Sequence, residues 1–145
     1  IDWHALTELA RRIPNRFRTL NRVLLCVAAR DEQAAPAARY PVYLTEDRVA
    51  LLREADHIVH QFHIEQGLYH DIWQFPVVLA PAGIGQGGES LILRPVTSTD
   101  AMTAGVYGMR PEHRAELGRR LISLAGVDYV FYDLTSKPPG TIEWE

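Results

Sequence analysis

The sequence predicts an α+β fold, a small sheet with helices packed on one face, and three observations carry that expectation. Apolar residues recur at helical spacing in three stretches that each have end signals, and short apolar runs of strand type follow or separate them. The 145 residues, 47% hydrophobic and 23% charged, also hold enough apolar material for one core. From Thr45 the order reads helix, strand, strand, helix, strand, and a helix-strand pair precedes it.

Asp2 can cap a first helix in which Trp3, Leu6, Leu9, Ala10 and Ile13 share one face, and Pro14 with Asn15 should end it. Leu20 to Ala28 reads as a buried strand in which the single cysteine, Cys26, is a core thiol and not a nucleophile. Ala29 to Tyr40 is polar and alanine-rich with Pro36, which suits a surface connection of low order. Thr45 is the expected N-cap of a second helix with apolar Val49, Leu52, Ala55, Val59 and Phe62, and Gly67 supplies its stop. Trp73, Phe75, Val77 and Leu79 then alternate with Gln74, Pro76 and Val78, a strand whose proline belongs at a sheet edge. Pro81 to Gly88 is a turn, Ser90 to Val96 its hairpin partner, and Thr97 to Met109 a loop without periodicity. Pro111 opens a third helix with Ala115, Leu117, Leu121 and Leu124 turned inward, Gly126 follows its end, and Val127 to Leu134 is the last strand.

An internal echo bears on domain organisation. Leu6 to Ile13 followed by Asn21 to Leu25 parallels Ala115 to Ile122 followed by Val127 to Phe131. Residues 1–40 therefore read as a helix-strand remnant of a preceding subdomain plus linker, and 41–145 as the main domain. The first strand then needs a partner from the main domain or from another chain. The chain begins at Ile1 and enters a helix almost at once, which fits a piece of a longer protein.

The charge balance narrows the function classes. A formal net charge of −3 gives no general attraction to nucleic acid or an anionic membrane, so any anion binding must be local. There is no secretory signal and no apolar run long enough to span a bilayer. A lone cysteine suits a reducing compartment, and the expected location is cytoplasmic.

The tail holds the most specific chemistry. Lys137 is the only lysine in an arginine-rich chain, and a compact ammonium is a common way to hold one phosphate. Pro138-Pro139 favours a stiff polyproline segment behind it. Beyond Gly140, Thr141, Glu143 and Glu145 would share one face of an extended strand, with Ile142 and Trp144 on the other. A lysine for phosphate followed by a carboxylate that accepts two sugar hydroxyls makes a nucleotide-holding pair; a solvated tail is the bland alternative. Gly83-Ile84-Gly85-Gln86-Gly87-Gly88 leads into a strand, not a helix N-terminus, so it reads as a hairpin loop and not a phosphate loop. His57, His60, His63 and His70, near Glu54 and Asp56, lack an i, i+4 histidine pair and read as a solvated helix face, with a metal-dependent hydrolase as the rival. The tyrosines and Trp73 read as core, since no basic stripe accompanies them.

Tyr132 to Glu145, together with Leu52 to Asp56, Gly67-Leu68-Tyr69, Ile72-Trp73-Gln74, Arg94 and Thr97 to Thr103, resembles the C-terminal region of GMP synthase. Asp2-Trp3 to Val23 is similar to the longer, eukaryote-like form of that family. That enzyme is a glutamine-hydrolysing ligase that converts XMP to GMP. The resemblance implies a dimerising domain that contributes Gln74, Lys137 and Glu143 to an XMP pocket, with phosphate for the lysine and sugar or base for the glutamate. It implies partners: XMP, a second copy, and the remaining domains of the parent. No nucleic acid, membrane or metal partner follows from it. ATP and Mg2+ belong to the parent, and no cofactor is expected on this piece. The Ser-Gly-Gly loop of the ATP-pyrophosphatase and the nucleophilic cysteine turn of the glutaminase are absent from this sequence, so no catalytic residue is assigned and the piece alone should be inactive. A stand-alone interaction module that has lost the ligase is the alternative.

Overall fold

The computed structural model describes residues 2–33, 38–84 and 87–144. Among them the elements run α1 (Trp3–Arg16), β1 (Leu24–Ala29), β2 (Ala38–Arg39), α2 (Glu46–Glu65), β3 (Val77–Ala80), β4 (Ala82–Gly83), β5 (Glu89–Leu93), β6 (Val96–Thr97), β7 (Gly105–Val106), α3 (Pro111–Ile122) and β8 (Val127–Asp133). The predicted α+β class holds. The main sheet has the order β1-β8-β5-β3. β8 runs parallel to β5 and antiparallel to β1, and β5 is antiparallel to β3. A parallel pair needs a crossover, which α3 supplies. The first helix-strand pair finds its partner in this same chain, with Leu25 opposite Tyr132.

Strand alternation sorts the sheet into two faces. Leu25, Tyr132, Leu93 and Val77 form one row towards the helices, and Ala28, Val130, Leu91 and Leu79 form the next. Ala55, Val59 and Phe62 of α2 and Leu117 and Leu121 of α3 close over them in one cluster. Phe62, Leu91, Leu93, Leu117 and Leu121 are fully buried, and each such side chain stabilises the fold by about 1.5–3 kcal/mol. No helix among the described residues is long and apolar enough to cross a membrane.

The end signals act as expected in two helices. The Asp2 carboxylate accepts from the His4 N–H at 2.9 Å, and Thr45 Oγ1 accepts from the Arg48 N–H at 3.3 Å. Gly67 leaves α2 with φ +65°, the left-handed stop that glycine adopts without a Cβ penalty. Pro76 directly precedes β3, which lies at the sheet edge.

Several expectations are corrected. α1 continues through Pro14 to Arg16, because a proline in the last turn forfeits a single backbone bond, and the Asn15 side chain donates to the Arg11 carbonyl nearby. Leu9 is 52% exposed, and α1 docks through Trp3, whose ring meets Tyr132 edge-on at 5.8 Å. β1 starts at Leu24, and Leu20 is exposed. Cys26 is exposed, since β1 turns Leu25, Val27 and Ala28 to the helices and Cys26 to the opposite face; partial burial still pushes its thiol pKa up. The stretch 97–109 contains a two-stranded piece, β6 with β7. α3 buries His113, Arg114, Leu117, Gly118 and Leu121 and leaves Ala115 exposed. That rotation lets Arg114 stack over Trp3 at 4.8 Å and brings Gly118 close against Val27 and Ala28. Tyr43, Tyr69 and Trp73 are exposed, whereas Tyr129 and Tyr132 are buried. In the connection 29–40, Ala38–Arg39 pairs with β4, and residues 34–37, including Pro36, lie outside the described residues.

The glycine-rich stretch is the turn between β3 and β5, with Gly85 and Gln86 outside the described residues. Gly83 and Gly88 face each other so closely that a Cβ on either meets the other's backbone, and one on Gly88 also strikes the Asp128 carboxylate. Asp128 Oδ2 accepts from the Ile84 N–H at 2.8 Å, and the Tyr40 hydroxyl donates to the Gly88 carbonyl at 2.7 Å. These glycines are therefore a packing requirement. Gly88→Ala should displace Asp128 and lower stability by about 1.5–3 kcal/mol, the worth of a hydrogen bond to a charged group, as read from the midpoint of chemical denaturation.

Candidate functional site

The site grows from a buried carboxylate at the end of β8. Asp133 is fully buried, and its Oδ2 accepts from Arg94 Nη1 at 2.6 Å, from Arg22 Nη1 at 3.2 Å and from Trp144 Nε1 at 3.0 Å. Its Oδ1 takes the Thr135 N–H at 2.8 Å. Arg94 is likewise fully buried, one residue past the apolar strand β5. Burial pushes its guanidinium pKa down and the Asp133 charge pulls it back up, while Arg22 adds a repulsion.

The remaining guanidinium donors bind the tail. Arg94 Nη1 donates to the Thr135 carbonyl at 3.0 Å, Nε to the Ile142 carbonyl at 2.8 Å, and Nη2 to the Thr141 carbonyl. Arg22 Nη2 donates to Thr141 Oγ1 at 3.0 Å and to the Glu143 carbonyl at 3.1 Å, and its guanidinium lies 5.5 Å from the Trp144 ring centre. Ile142 and Trp144 are half-buried and Thr141 and Glu143 are exposed, so the expected facing is present. The expected strand is not: residues 142 and 143 are bends between irregular neighbours, because the Thr141, Ile142 and Glu143 carbonyls turn to two arginines instead of to a neighbouring strand. Glu145 lies outside the described residues.

Lys137 sits at the turn into that tail. The Lys137 N–H donates to the Ala104 carbonyl at 2.8 Å, and the Ala104 N–H returns a bond at 3.2 Å. Its ammonium donates to the Ala101 carbonyl at 2.8 Å. Behind it the chain reverses at residues 138–139, with the Gly140 N–H on the Ser136 carbonyl at 3.0 Å, so the expected polyproline segment is replaced by a turn.

Gln74 is exposed and bridges to Val96 through paired backbone bonds. It lines a cleft of about 510 Å³ whose walls include His60, His63, Tyr69, Trp73, Thr97 and Ser98. Lys137 and Glu143 are not among those walls. The segment Thr97–Thr103 joins the two regions: its start lines the Gln74 cleft, and its Ala101 holds Lys137. The described chain thus brings Gln74 and Lys137 to the two sides of one loop and leaves the Glu143 side chain exposed beyond the arginine clamp.

The histidines divide. His57, His60 and His70 are exposed, while His63 is buried with its ring against Tyr69 at 5.6 Å and Phe75 at 5.9 Å. Its Nε2 has no hydrogen-bond partner among the described residues. No group of three or more His, Cys, Asp or Glu side chains among the described residues converges to hold a metal ion.

Sequence reasoning carried Arg22, Arg94 and Asp133 only inside resembling stretches and gave none of them a role. A charge beside an apolar strand was the available signal, since a buried charge must be paired.

Comparison with known proteins agrees with the family resemblance. The profile described as "GMP synthase C terminal domain" matches residues 61–144. The chain is 40% identical over 144 residues, 99% of its length, to "Probable GMP synthase [glutamine-hydrolyzing]" of Leptospira interrogans serovar Lai, of which it covers 24%. It is 44% identical over 117 residues, 75% of its length, to "GMP synthase [glutamine-hydrolyzing]" of Zymomonas mobilis and of Bradyrhizobium diazoefficiens, covering 22% and 21% of those proteins. The chain spans under a quarter of the length of these relatives.

Asp133→Ala leaves two guanidiniums near each other without a counter-charge. It should cost about 3–5 kcal/mol in chemical denaturation. It should also free the tail, read as faster proteolysis between residues 137 and 144 under native conditions; a tail that stays protected contradicts the clamp.

Proposed function

The chain belongs to the GMP synthase C-terminal domain family, and from that premise we propose that it is the part of a glutamine-hydrolysing GMP synthase that binds XMP and joins two subunits. ATP, Mg2+, glutamine and the chemical steps belong to the rest of the parent, and the piece alone does not catalyse. The observation that carries this reading is the Asp133-Arg94-Arg22 clamp, which fixes the tail from Thr135 to Trp144 by its main chain. The clamp holds the tail mainly by its carbonyls and leaves the Glu143 side chain exposed, and Lys137 lies at the start of the same tail.

Each residue has a role suited to its donors and acceptors. The Lys137 ammonium has three N–H donors, one of which is on Ala101, and the others suit phosphate oxygens. The Glu143 carboxylate, exposed beyond the clamp, accepts hydroxyls of the sugar or a donor of the base. The Gln74 amide both donates and accepts, which suits a group on the nucleotide seen from the cleft side. Residues from elsewhere in the parent complete the pocket.

The surface that supports subunit association is the sheet face opposite the helices. It carries Leu24, Cys26, Phe131 and Ala80, with a groove of about 380 Å³ lined by Leu24, Ala80, Pro81, Ile92, Phe131 and Trp144. A second copy laid on that face covers apolar surface that the helices leave open.

In the full-length ligase carrying this chain, Lys137→Ala should weaken XMP binding about 10- to 100-fold by calorimetry, matching the roughly 1.5–3 kcal/mol of a charge-assisted hydrogen bond. Unchanged XMP affinity would remove the assigned role. Phe131→Glu should shift the same protein towards monomer in sedimentation velocity, and an undisturbed dimer would move the interface elsewhere.

A further inference from the structure

The loop between β6 and β7 has no role in the reading above, yet it is built around Lys137. Two of its residues, Ala101 and Ala104, hold that lysine at both ends: two backbone bonds with Ala104 fix its main chain, and the Ala101 carbonyl takes its ammonium at 2.8 Å. A lysine stem has four rotatable bonds and a free ammonium sweeps widely; one tied at its tip does not.

What turns the Ala101 carbonyl to the lysine is a set of side-chain bonds. Ala101 has φ +59°, a left-handed conformation that costs an alanine roughly 1–2 kcal/mol unless its surroundings impose it. Asp100 Oδ1 accepts from the Met102 N–H at 3.0 Å and from the Thr103 N–H at 3.1 Å, closing the loop on the far side of Ala101. Ser98 Oγ accepts from the Ala101 N–H at 2.9 Å and donates to the Thr103 carbonyl at 2.6 Å, closing it on the near side. The two backbone N–H donors hold the Asp100 carboxyl below its ordinary pKa, so it stays an acceptor through the neutral range. The same loop begins at Thr97 and Ser98 on the wall of the Gln74 cleft, so its shape sets Lys137 relative to Gln74.

We infer that Asp100 is a positioning residue for substrate phosphate: it shapes the 98–103 loop, the loop's Ala101 carbonyl tethers the Lys137 ammonium, and the two untethered N–H groups meet the phosphate. Asp100 does not touch the nucleotide and acts through Lys137. The inference rests on the assignment of Lys137 to the XMP phosphate.

The test is a cycle of variants in the full-length ligase, with XMP affinity by calorimetry and steady-state constants for XMP and ATP. Asp100→Ala should raise the Kd and KM for XMP about 5- to 10-fold, the size of one lost hydrogen-bonded arrangement, with kcat within about two-fold and the KM for ATP unchanged. Asp100→Asn keeps a carbonyl oxygen for the same two N–H groups and should stay within about two-fold of the parent. In a Lys137→Ala background, Asp100→Ala should add less than about two-fold, because the two residues act as one unit. An equal penalty in both backgrounds overturns the inference, since Asp100 would then act without the lysine. If Asp100→Ala leaves XMP binding intact while Lys137→Ala weakens it, the positioning role falls and the phosphate assignment stands. If Lys137→Ala itself has no effect, the phosphate assignment falls and takes the inference with it. A loss that moves melting temperature and ATP KM together also overturns it, as general damage to the fold.

Discussion

One fully buried carboxylate, Asp133, governs how the C-terminal third of this chain is arranged. It faces two guanidiniums, Arg94 and Arg22, and so leaves a net positive charge in a site closed to solvent on the Arg94 side. Such a charge is expensive unless its remaining N–H donors are satisfied. The main-chain carbonyls of Thr135, Thr141, Ile142 and Glu143 supply acceptors for every Arg94 nitrogen and for the Arg22 Nη groups, and of these guanidinium atoms only Arg22 Nε is left buried without a partner among the described residues. The tail is therefore folded back because the arginines need its carbonyls, with the Thr141 hydroxyl as a further acceptor, and the Glu143 side chain is left exposed. Trp144 closes the arrangement, donating to Asp133 and lying over Arg22.

How far this was legible in the sequence depends on the range of the interaction involved. Features set within a few residues, such as the Asp2 and Thr45 caps and the Gly67 stop, follow from local chemistry and are present in the structure. Features decided by which face meets which neighbour were read less well. Cys26 looks like core in an apolar run, but a strand has two faces and only the pairing of β1 with β8 says which one the helices cover. Ala115 fits an apolar stripe, yet α3 is rotated so that Arg114 can reach Trp3, over a hundred residues away in the chain. His63 hides on a face that reads as solvated because its ring packs on Phe75, a contact made only after the chain has turned at Gly67.

The candidate site shows the same division. Lys137 stands out by composition, as the only lysine, and Gln74 by its place in an apolar strand pattern together with the family resemblance. The residues that hold the tail and Lys137 do not. Arg22 and Asp133 are far apart in sequence, and the Thr97 to Thr103 loop has no periodicity to mark it, although its internal bonds define its shape closely. Chemistry-bearing residues are thus visible as types, while the groups that aim them become visible only as geometry.

The contrast between arginine and lysine in this chain follows from donor geometry. Arg22, Arg30, Arg94 and Arg114 each direct guanidinium N–H groups at backbone carbonyls, and Arg30 alone reaches those of Ile122, Leu124 and Val127 at the end of α3. A planar fork with five donors is suited to gathering several fixed acceptors, and once it has done so it has little left for a ligand. Lys137 gives one donor to Ala101 and keeps two on a compact charge. Lys137 is the one lysine in the sequence, a compact cation held by a single carbonyl in a chain whose buried arginines hold its backbone.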